Sequence, residues 1–177
     1  MPKKILVAYT SKYGSTRRYA QWLAAALDAD LSAARAVKPA ALGQYDLVVY
    51  GGGLYAGGIA GAELVTRHPC KNLVVFTVGL ANPQITDYSA IINKNFTPEL
   101  ASKIKFFHLR GGIDYKKLGP IHKVMMSMMK KMIQKKPEAE RDAEDNEFLN
   151  TYNATVSFED QQTIGPIVAY VKERISV

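Results

Sequence analysis

The segment TSKYGST at residues 10–16 combines four hydroxyl side chains with a glycine, directly after an apolar run and before a helical pattern. The hydroxyls belong to Thr10, Ser11, Ser15 and Thr16, and the backbone N–H groups of the same segment are expected to converge where the helix begins. Unpaired amides and the helix dipole both favour negative charge, so the segment predicts a site for a dianionic phosphate. Helix capping by Ser11 or Ser15 is a simpler alternative, but it needs only one hydroxyl.

The segment matches neither of two well-known phosphate-binding motifs. The pattern GxxxxGK[ST] is absent, and no GxGxxG follows the first apolar run. Gly51, Gly53 and Ala56 have the spacing of GxGxxA, but they follow a later run. We predict no metal site and assign no catalytic residue. The residues that could bind metal are widely spaced, which favours a structural role for His68, His108, His122 and Cys70.

Apolar runs alternate with helical patterns along the chain. Runs rich in β-formers are typical of strands buried on both faces of a sheet, and they lie at 4–9, 45–53, 72–79 and 103–112, with a shorter candidate at 31–37. Helical patterns lie at 15–30, 59–67 and 159–175. Strands joined by helical crossovers predict a doubly wound α/β fold with a five-stranded parallel sheet. We expect one domain over residues 1–177.

Glycine-rich loops follow most of these strands. Besides TSKYGST they are GGGLYAGG (51–58), GLANPQ (79–84) and RGGIDY (110–115). In open α/β sheets, ligands bind beyond the carboxyl ends of the strands, where such loops meet. Glycine lets a backbone approach a ligand closely, although βα loops are often rich in glycine for other reasons. Together the loops predict a ligand site at this edge of the sheet.

The first strand, TSKYGST and the following RRYA resemble the phosphate loop of the flavodoxin family, whose members bind flavin mononucleotide (FMN). The resemblance implies an FMN cofactor and a flavodoxin-like sheet of order 2-1-3-4-5 with helices on both faces. It implies that the 5′-phosphate is held by Thr10, Ser11, Lys12, Gly14, Ser15 and Thr16. The loops after the second and third of the long strands would then contact the flavin ring, through Leu54 and Tyr55 and through backbone groups of Gly79, Leu80, Ala81 and Asn82.

The run FFHLRGGIDYKKLGPIHKVMMSMMKKMIQKK (106–136) is similar to a segment of the menaquinone-dependent protoporphyrinogen oxidases, a branch of small flavodoxin-like enzymes. This resemblance implies an FMN-dependent oxidoreductase that accepts hydride at flavin N5 from a protoporphyrinogen-like substrate and passes electrons to a quinone. The alternative is a flavodoxin-type electron-transfer protein without a small-molecule substrate, whose partner is a redox protein.

Five residues after the fourth long strand are candidates for contact with a substrate or partner. Lys116, Lys117 and Lys123 could meet substrate carboxylates or membrane headgroups. Asp114 and Tyr115 follow a strand end, from which a side chain could reach the flavin. A role in forming the turn is an equal alternative for Asp114.

Composition changes abruptly between Tyr115 and Thr155. Residues 116–147 read as a basic, methionine-rich helix followed by an acidic loop, added to the domain. The helix carries an apolar stripe at helical spacing, formed by Ile121, Val124, Met125, Met128 and Met132. Such a helix could cover its own domain, lie on anionic lipid, bind an acidic macrocycle or pack against a second copy in a homodimer. The acidic residues of 138–147 could pair with its lysines or stay solvated.

The net charge of +7 and the pI of about 9.4 argue against a carrier that docks on basic partners through an acidic face. Positive groups near a flavin ring would favour its anionic reduced form. Nucleic acid is not an expected partner, because no aromatics interleave with the lysines of 116–136. No run approaches the roughly 18 apolar residues of a membrane span, which indicates a cytoplasmic protein and leaves open peripheral membrane contact through 116–136.

Overall fold

The computed structural model describes residues 3–176. Its strands are β1 (Ile5–Thr10), β2 (Asp30–Ala33), β3 (Leu47–Tyr55), β4 (Gly58–Ile59), β5 (Leu73–Gly79), β6 (Lys105–Arg110), β7 (Gly112–Asp114) and β8 (Thr155–Ser157). Its α-helices are α1 (Ser15–Leu27), α2 (Glu63–Thr66), α3 (Ser89–Asn95), α4 (Pro98–Ala101), α5 (Pro120–Lys135), α6 (Ala143–Thr151) and α7 (Gly165–Ser176).

Five strands form a parallel sheet in the order β2-β1-β3-β5-β6. The predicted five-stranded α/β fold of order 2-1-3-4-5 is therefore confirmed. Its register is set by long apolar strands: Val7 pairs with Val49, and Val49 pairs with Val74. The two-residue β4 is an addition that pairs antiparallel with the end of β3. The prediction of one domain over 1–177 stays a prediction.

Side chains alternate across the sheet, so both faces are buried. Val7, Val49 and Phe76 face the layer of α1 and α7, where they meet Tyr19 and Ile167. The opposite face packs against α2 and its neighbours, through a second group of buried residues that includes Leu6, Val48, Val75, Leu42, Val65 and Ile104. These two layers fix the sheet, and its carboxyl edge is left for the loops.

All three predicted helices are shorter in the structure, and the pattern at 15–30 forms a helix only as far as Leu27. The pattern at 59–67 forms only α2, because β4 and a left-handed turn at Gly61 (φ 69°) occupy the preceding residues. The pattern at 159–175 becomes helical only at Gly165. Before it, the side chain of Asp160 accepts a hydrogen bond from the Gln162 N–H and starts a single 3-10 turn.

The β7–β8 pair, which was not predicted, closes the base of the basic and acidic addition. Asp114 pairs with Thr155, so the chain leaves and re-enters the fold at neighbouring positions. Between them lie α5 and α6. The change in composition that begins at Tyr115 and ends at Thr155 therefore coincides with a structural boundary.

Two glycines at the end of β3 are required by internal packing. A Cβ atom at Gly51 would overlap the ring of Phe76, and one at Gly52 would lie 2.5 Å from a methyl carbon of Ile59. The glycine run after the second long strand was predicted to allow close approach of a ligand. At these two positions the close neighbour is the protein itself.

We predict that Gly51→Ala destabilises the fold by about 1–3 kcal/mol, because the buried Phe76 ring has little room to move. The free energy of unfolding from urea denaturation measures the effect. Gly43→Ala is the matched control, since a Cβ there meets no atom within 4 Å. Equal stability of the two variants would contradict the packing role of Gly51.

Candidate functional site

A cavity of about 480 Å³ lies at the carboxyl edge of the sheet. Its walls come from the loop after β1, the ends of β3 and β5, and the residues that follow β6. Helices α5 and α6 close it on the remaining side. The loops that the sequence singled out are therefore brought together, and the methionine-rich helix lies over them.

The start of α1 has the geometry of an anion site. Gly14 adopts a left-handed conformation (φ 106°) and its N–H donates to the Ser11 hydroxyl at 3.1 Å. Thr16 is buried and lines the cavity, and within residues 3–176 its hydroxyl has no hydrogen-bond partner. The first turn of α1 carries no acidic residue. The helix dipole and the free amides of this turn can therefore act on a bound phosphate.

Two of the four predicted phosphate-binding hydroxyls are engaged elsewhere. The Ser15 hydroxyl donates to Glu159 Oε1 at 2.5 Å and accepts from the Gly112 N–H at 3.2 Å. A hydroxyl has one proton, so in this arrangement Ser15 can offer a phosphate only its backbone N–H. The Thr10 hydroxyl bonds with the Tyr50 hydroxyl at 2.9 Å. Of the six predicted phosphate ligands, Ser11, Ser15 and Thr16 line the cavity, whereas Thr10, Lys12 and Gly14 do not.

The two predicted ring loops lie next to each other in the wall of the cavity. Leu54 packs over Gly79, where an added Cβ would lie 3.2 Å from its Cδ1 atom. Leu80 and Ala81 line the same wall. The backbone N–H of Asn82 points to the carboxylate of Glu144, whose Oε1 atom is 3.3 Å away.

An aromatic cluster joins the phosphate loop to the first turns of α5. The rings of Tyr55 and His122 stack at 5.0 Å, and the Tyr13 hydroxyl lies 2.6 Å from His122 Nδ1. Desolvation, and then the charge of Lys12, lower the pKa of His122. A neutral imidazole can accept the proton of Tyr13, which holds α5 against the loop. Burial raises the pKa of Tyr55.

Helix α5 is apolar on two faces, and only one of them is turned to the cavity. His122, Met126, Met129 and Ile133 line the cavity. The predicted stripe lies mostly on the other side, and Ile121, Met128 and Met132 are 76%, 59% and 69% exposed. For these residues the exposure excludes one of the alternatives, that the stripe covers its own domain. Within residues 3–176, no helix combines the length and apolarity needed to cross a bilayer.

The cavity is lined by four carboxylates and one arginine, and by no lysine. Arg110 pairs with Glu147, donates through Nε to the Leu80 carbonyl at 2.9 Å, and stacks on the Phe158 ring. Asp145 pairs with Lys136 at 2.6 Å, which for this residue is the first of the two alternatives for the acidic run, pairing with a lysine. Glu144 and Glu147 line the cavity as Asp145 does. The positive charge of the chain is therefore not concentrated at the ring loops. Residues 3–176 contain no group of His, Cys, Asp or Glu that could hold a metal ion.

The five candidate substrate or partner residues divide into two groups. Asp114 and Tyr115 line the cavity, where burial raises the pKa of Tyr115 to about 12. Asp114 also caps a turn, since its carboxylate accepts from the Lys116 N–H at 3.0 Å. The side chains of Lys116, Lys117 and Lys123 are on the surface and do not line the cavity.

Sequence reasoning missed Arg110, Glu144, Glu147 and Phe148 as cavity residues. Arg110 directly precedes a glycine pair at a strand end, and that position could have identified it. The other three lie on α6, whose orientation depends on tertiary contacts. The inner face of α5 has the same helical spacing as the outer one, displaced by one residue, so spacing could not distinguish the two faces.

Among known protein families, the Flavodoxin domain family matches residues 6–140 of this sequence. The chain belongs to this family. FMN is the cofactor that the family assignment indicates, and the residues present fit it. The start of α1 suits its phosphate, and the space between Leu54, Tyr55 and the loop after β5 suits a planar ring.

Several solved structures are similar to this chain. A flavoprotein from Bacteroides eggerthii is 20% identical over 62% of this chain and 87% of its own, with a TM-score of 0.42. Flavodoxin 2 from Bacillus cereus is 19% identical over 60% and 84%, with a TM-score of 0.45. A flavoprotein from Lactobacillus acidophilus in complex with FMN is 14% identical over 62% and 93%, with a TM-score of 0.42. No curated protein matches the sequence.

We predict that Thr16→Val weakens FMN binding by roughly tenfold, because it removes a hydroxyl from the phosphate site and preserves its shape. Riboflavin, which lacks the phosphate, should bind both proteins alike. Fluorescence quenching titrations with the two flavins give the dissociation constants.

Ser15→Ala is the matched control for this prediction. It breaks the bond to Glu159 and should lower the midpoint of thermal unfolding, with a smaller change in the preference for FMN over riboflavin. A Thr16→Val protein with the wild-type preference would contradict the assignment of Thr16 to the phosphate site.

Proposed function

We propose that this protein is an FMN-binding electron-transfer protein. The observation that supports it most directly is the cavity that connects the start of α1 with the loops after β3 and β5. A phosphate at one end and a planar ring at the other are the two ends of one FMN molecule. Bound FMN supplies reversible storage of electrons, while the protein holds the ring and sets its surroundings.

The charges around the cavity favour an electron donor. Glu144 and Glu147 bring negative charge to the ring loops, and Arg110 balances one of them. Negative charge in a poorly solvated site opposes the further negative charge that a flavin gains on reduction, and so lowers its reduction potential. A basic surface alone would suggest the opposite tendency, but the lysines lie outside this cavity.

Oxidation of a reduced organic substrate is a second candidate function. The observation that favours it is the apolar roof, where Met125, Met126 and Met129 add surface beyond the loops that contact the flavin. The resemblance of 106–136 suggests a porphyrinogen as the hydride donor and a quinone as the final acceptor. Surface lysines such as Lys116 and Lys123 could then attract the carboxylates of the substrate.

The outer face of α5 is the surface that we propose for peripheral membrane contact. Of the nine large apolar side chains that are exposed among residues 3–176, six lie on this helix: Ile121, Val124, Met128 and Met132 on the outer face, and Met125 and Met129, which also line the cavity. Exposed lysines lie on the same helix, among them Lys123, Lys131 and Lys135. An apolar stripe on a helix that also carries exposed lysines matches the chemistry of an anionic lipid surface, which offers acyl chains to the stripe and negative headgroups to the lysines.

The same face is less suited to a homodimer. A second copy would place the lysines of one α5 against those of the other, and like charges across an interface oppose association. The exposed apolar area of α5 by itself would suit either a lipid surface or a second copy of the protein. The charge pattern therefore favours lipid, and we treat the homodimer as the competing outcome.

We predict that FMN bound to this protein is reduced in two separate one-electron steps, with the second at a lower potential than in free FMN. Anaerobic spectroelectrochemical titration measures both steps. One two-electron step, together with rapid bleaching of the flavin band by an added porphyrinogen, would favour the second candidate. Failure of the wild-type protein to bind FMN would exclude both.

We predict that the protein floats with vesicles that contain anionic lipid and not with purely zwitterionic vesicles, and that high salt releases it. Met128→Glu combined with Met132→Glu should abolish flotation, because charge replaces the apolar centre of the stripe. Leu31→Glu, an exposed apolar position on β2, should leave flotation unchanged.

Sedimentation velocity distinguishes lipid contact from the homodimer. A monomer that floats supports the membrane proposal. A stable dimer that the double variant dissociates, without flotation of the wild type, would assign the face to a second copy.

A further inference from the structure

Glu144 brings a carboxylate from α6 to the loop after β5. Its Oε1 atom lies 3.3 Å from the Asn82 amide nitrogen and 2.7 Å from the Thr86 hydroxyl. The first turn of α6 is fixed by Asp142, whose carboxylate accepts from the Asp145 N–H at 2.8 Å. One turn later Glu147 pairs with Arg110. The position of the Glu144 carboxylate is thus determined from both sides.

The carboxylate of Glu144, which lines the cavity, can accept a further hydrogen bond. Both contacts of Glu144 are made by Oε1, and within residues 3–176 no hydrogen bond uses Oε2. Glu144 itself lines the cavity, next to Leu80 and Ala81 of the predicted ring-edge loop. The negative charge of Glu144 also affects a neighbouring side chain, because it adds to the effect of burial in raising the pKa of Tyr88. A fixed acceptor therefore stands beside the Asn82 N–H donor.

A donor next to an acceptor matches the imide edge of a flavin. The isoalloxazine ring carries an N3–H donor between two carbonyl acceptors, and the rest of that edge offers no other N–H. A carboxylate that accepts from N3–H forms a charge-assisted hydrogen bond, which is stronger than one between neutral groups. The Asn82 N–H, whose bond to Glu144 is long, can donate to a neighbouring carbonyl.

We propose that Glu144 is a specificity-determining residue, which accepts a hydrogen bond from N3–H of FMN. This bond would connect helix α6, which with α5 closes the cavity, directly to the cofactor. The inference rests on the FMN binding proposed above and goes beyond it, since it assigns recognition of the ring to a residue outside the loops of the parallel sheet. It also places a negative charge at the ring edge, which opposes formation of the anionic reduced flavin.

The test compares FMN with 3-methyl-FMN, in which a methyl group replaces the N3 hydrogen. The wild-type protein should prefer FMN by about ten- to a hundredfold. Glu144→Ala should reduce this preference to near unity, chiefly by weakening FMN. Glu144→Gln, which keeps an acceptor without the charge, should give an intermediate preference and raise the potential of the bound flavin.

Glu140→Ala is the matched control, because Glu140 is exposed and does not line the cavity. It should keep the wild-type preference, and circular dichroism should show all variants folded. Glu144→Ala with an unchanged preference, or with equal loss of affinity for both flavins, would overturn the assignment. Equal binding of the two flavins by the wild type would overturn this inference alone, whereas binding of neither would overturn the proposed function.

Discussion

The hydrogen bonds of Ser15 join the segments on which the cavity depends. Its hydroxyl connects the first turn of α1 with Gly112 at the start of β7 and with Glu159 just after β8. The Glu159 side chain is only 8% exposed and is neutralised by Arg18, as a buried carboxylate requires. The phosphate loop and both ends of the added segment are thereby fixed at one point, and the position of the roof over the cavity follows from that base.

From this base the roof is held together largely by its own contacts. Arg141 donates to the carbonyls of Ile133 and Gln134 at the end of α5, and the Ile133 carbonyl also accepts from the Lys136 N–H. Lys136 and Asp145 then tie α5 to α6. A pair of helices that is joined in this way can cover the cavity with few core residues of its own.

Much of the fold and part of the candidate site could be predicted from the sequence. Continuous apolar runs identify buried strands because every side chain in them meets a layer, and TSKYGST marks the start of α1 because its residue types suit a left-handed turn and free amides. The destination of a hydroxyl or a carboxylate depends on distant residues. Thr10 bonds with Tyr50, 40 positions away, and Glu144 reaches Asn82, 62 positions away. Local patterns carry no information on such pairs.

The net charge of the chain did not predict the charge around the cavity, for a related physical reason. The chain carries an excess of seven positive charges, yet the cavity is lined by four carboxylates and one arginine. The interaction of a ring with a charge falls with distance and with the water between them, so a carboxylate such as Glu144 at the cavity affects a bound ring more than a solvated lysine outside it does. The lysines of α5 are largely exposed, whereas the carboxylates of Glu144, Asp145 and Glu147 on α6 line the cavity. The carboxylates that line the cavity would influence the reduction potential of a bound flavin. The exposed lysines of α5 would instead determine which surface the protein binds.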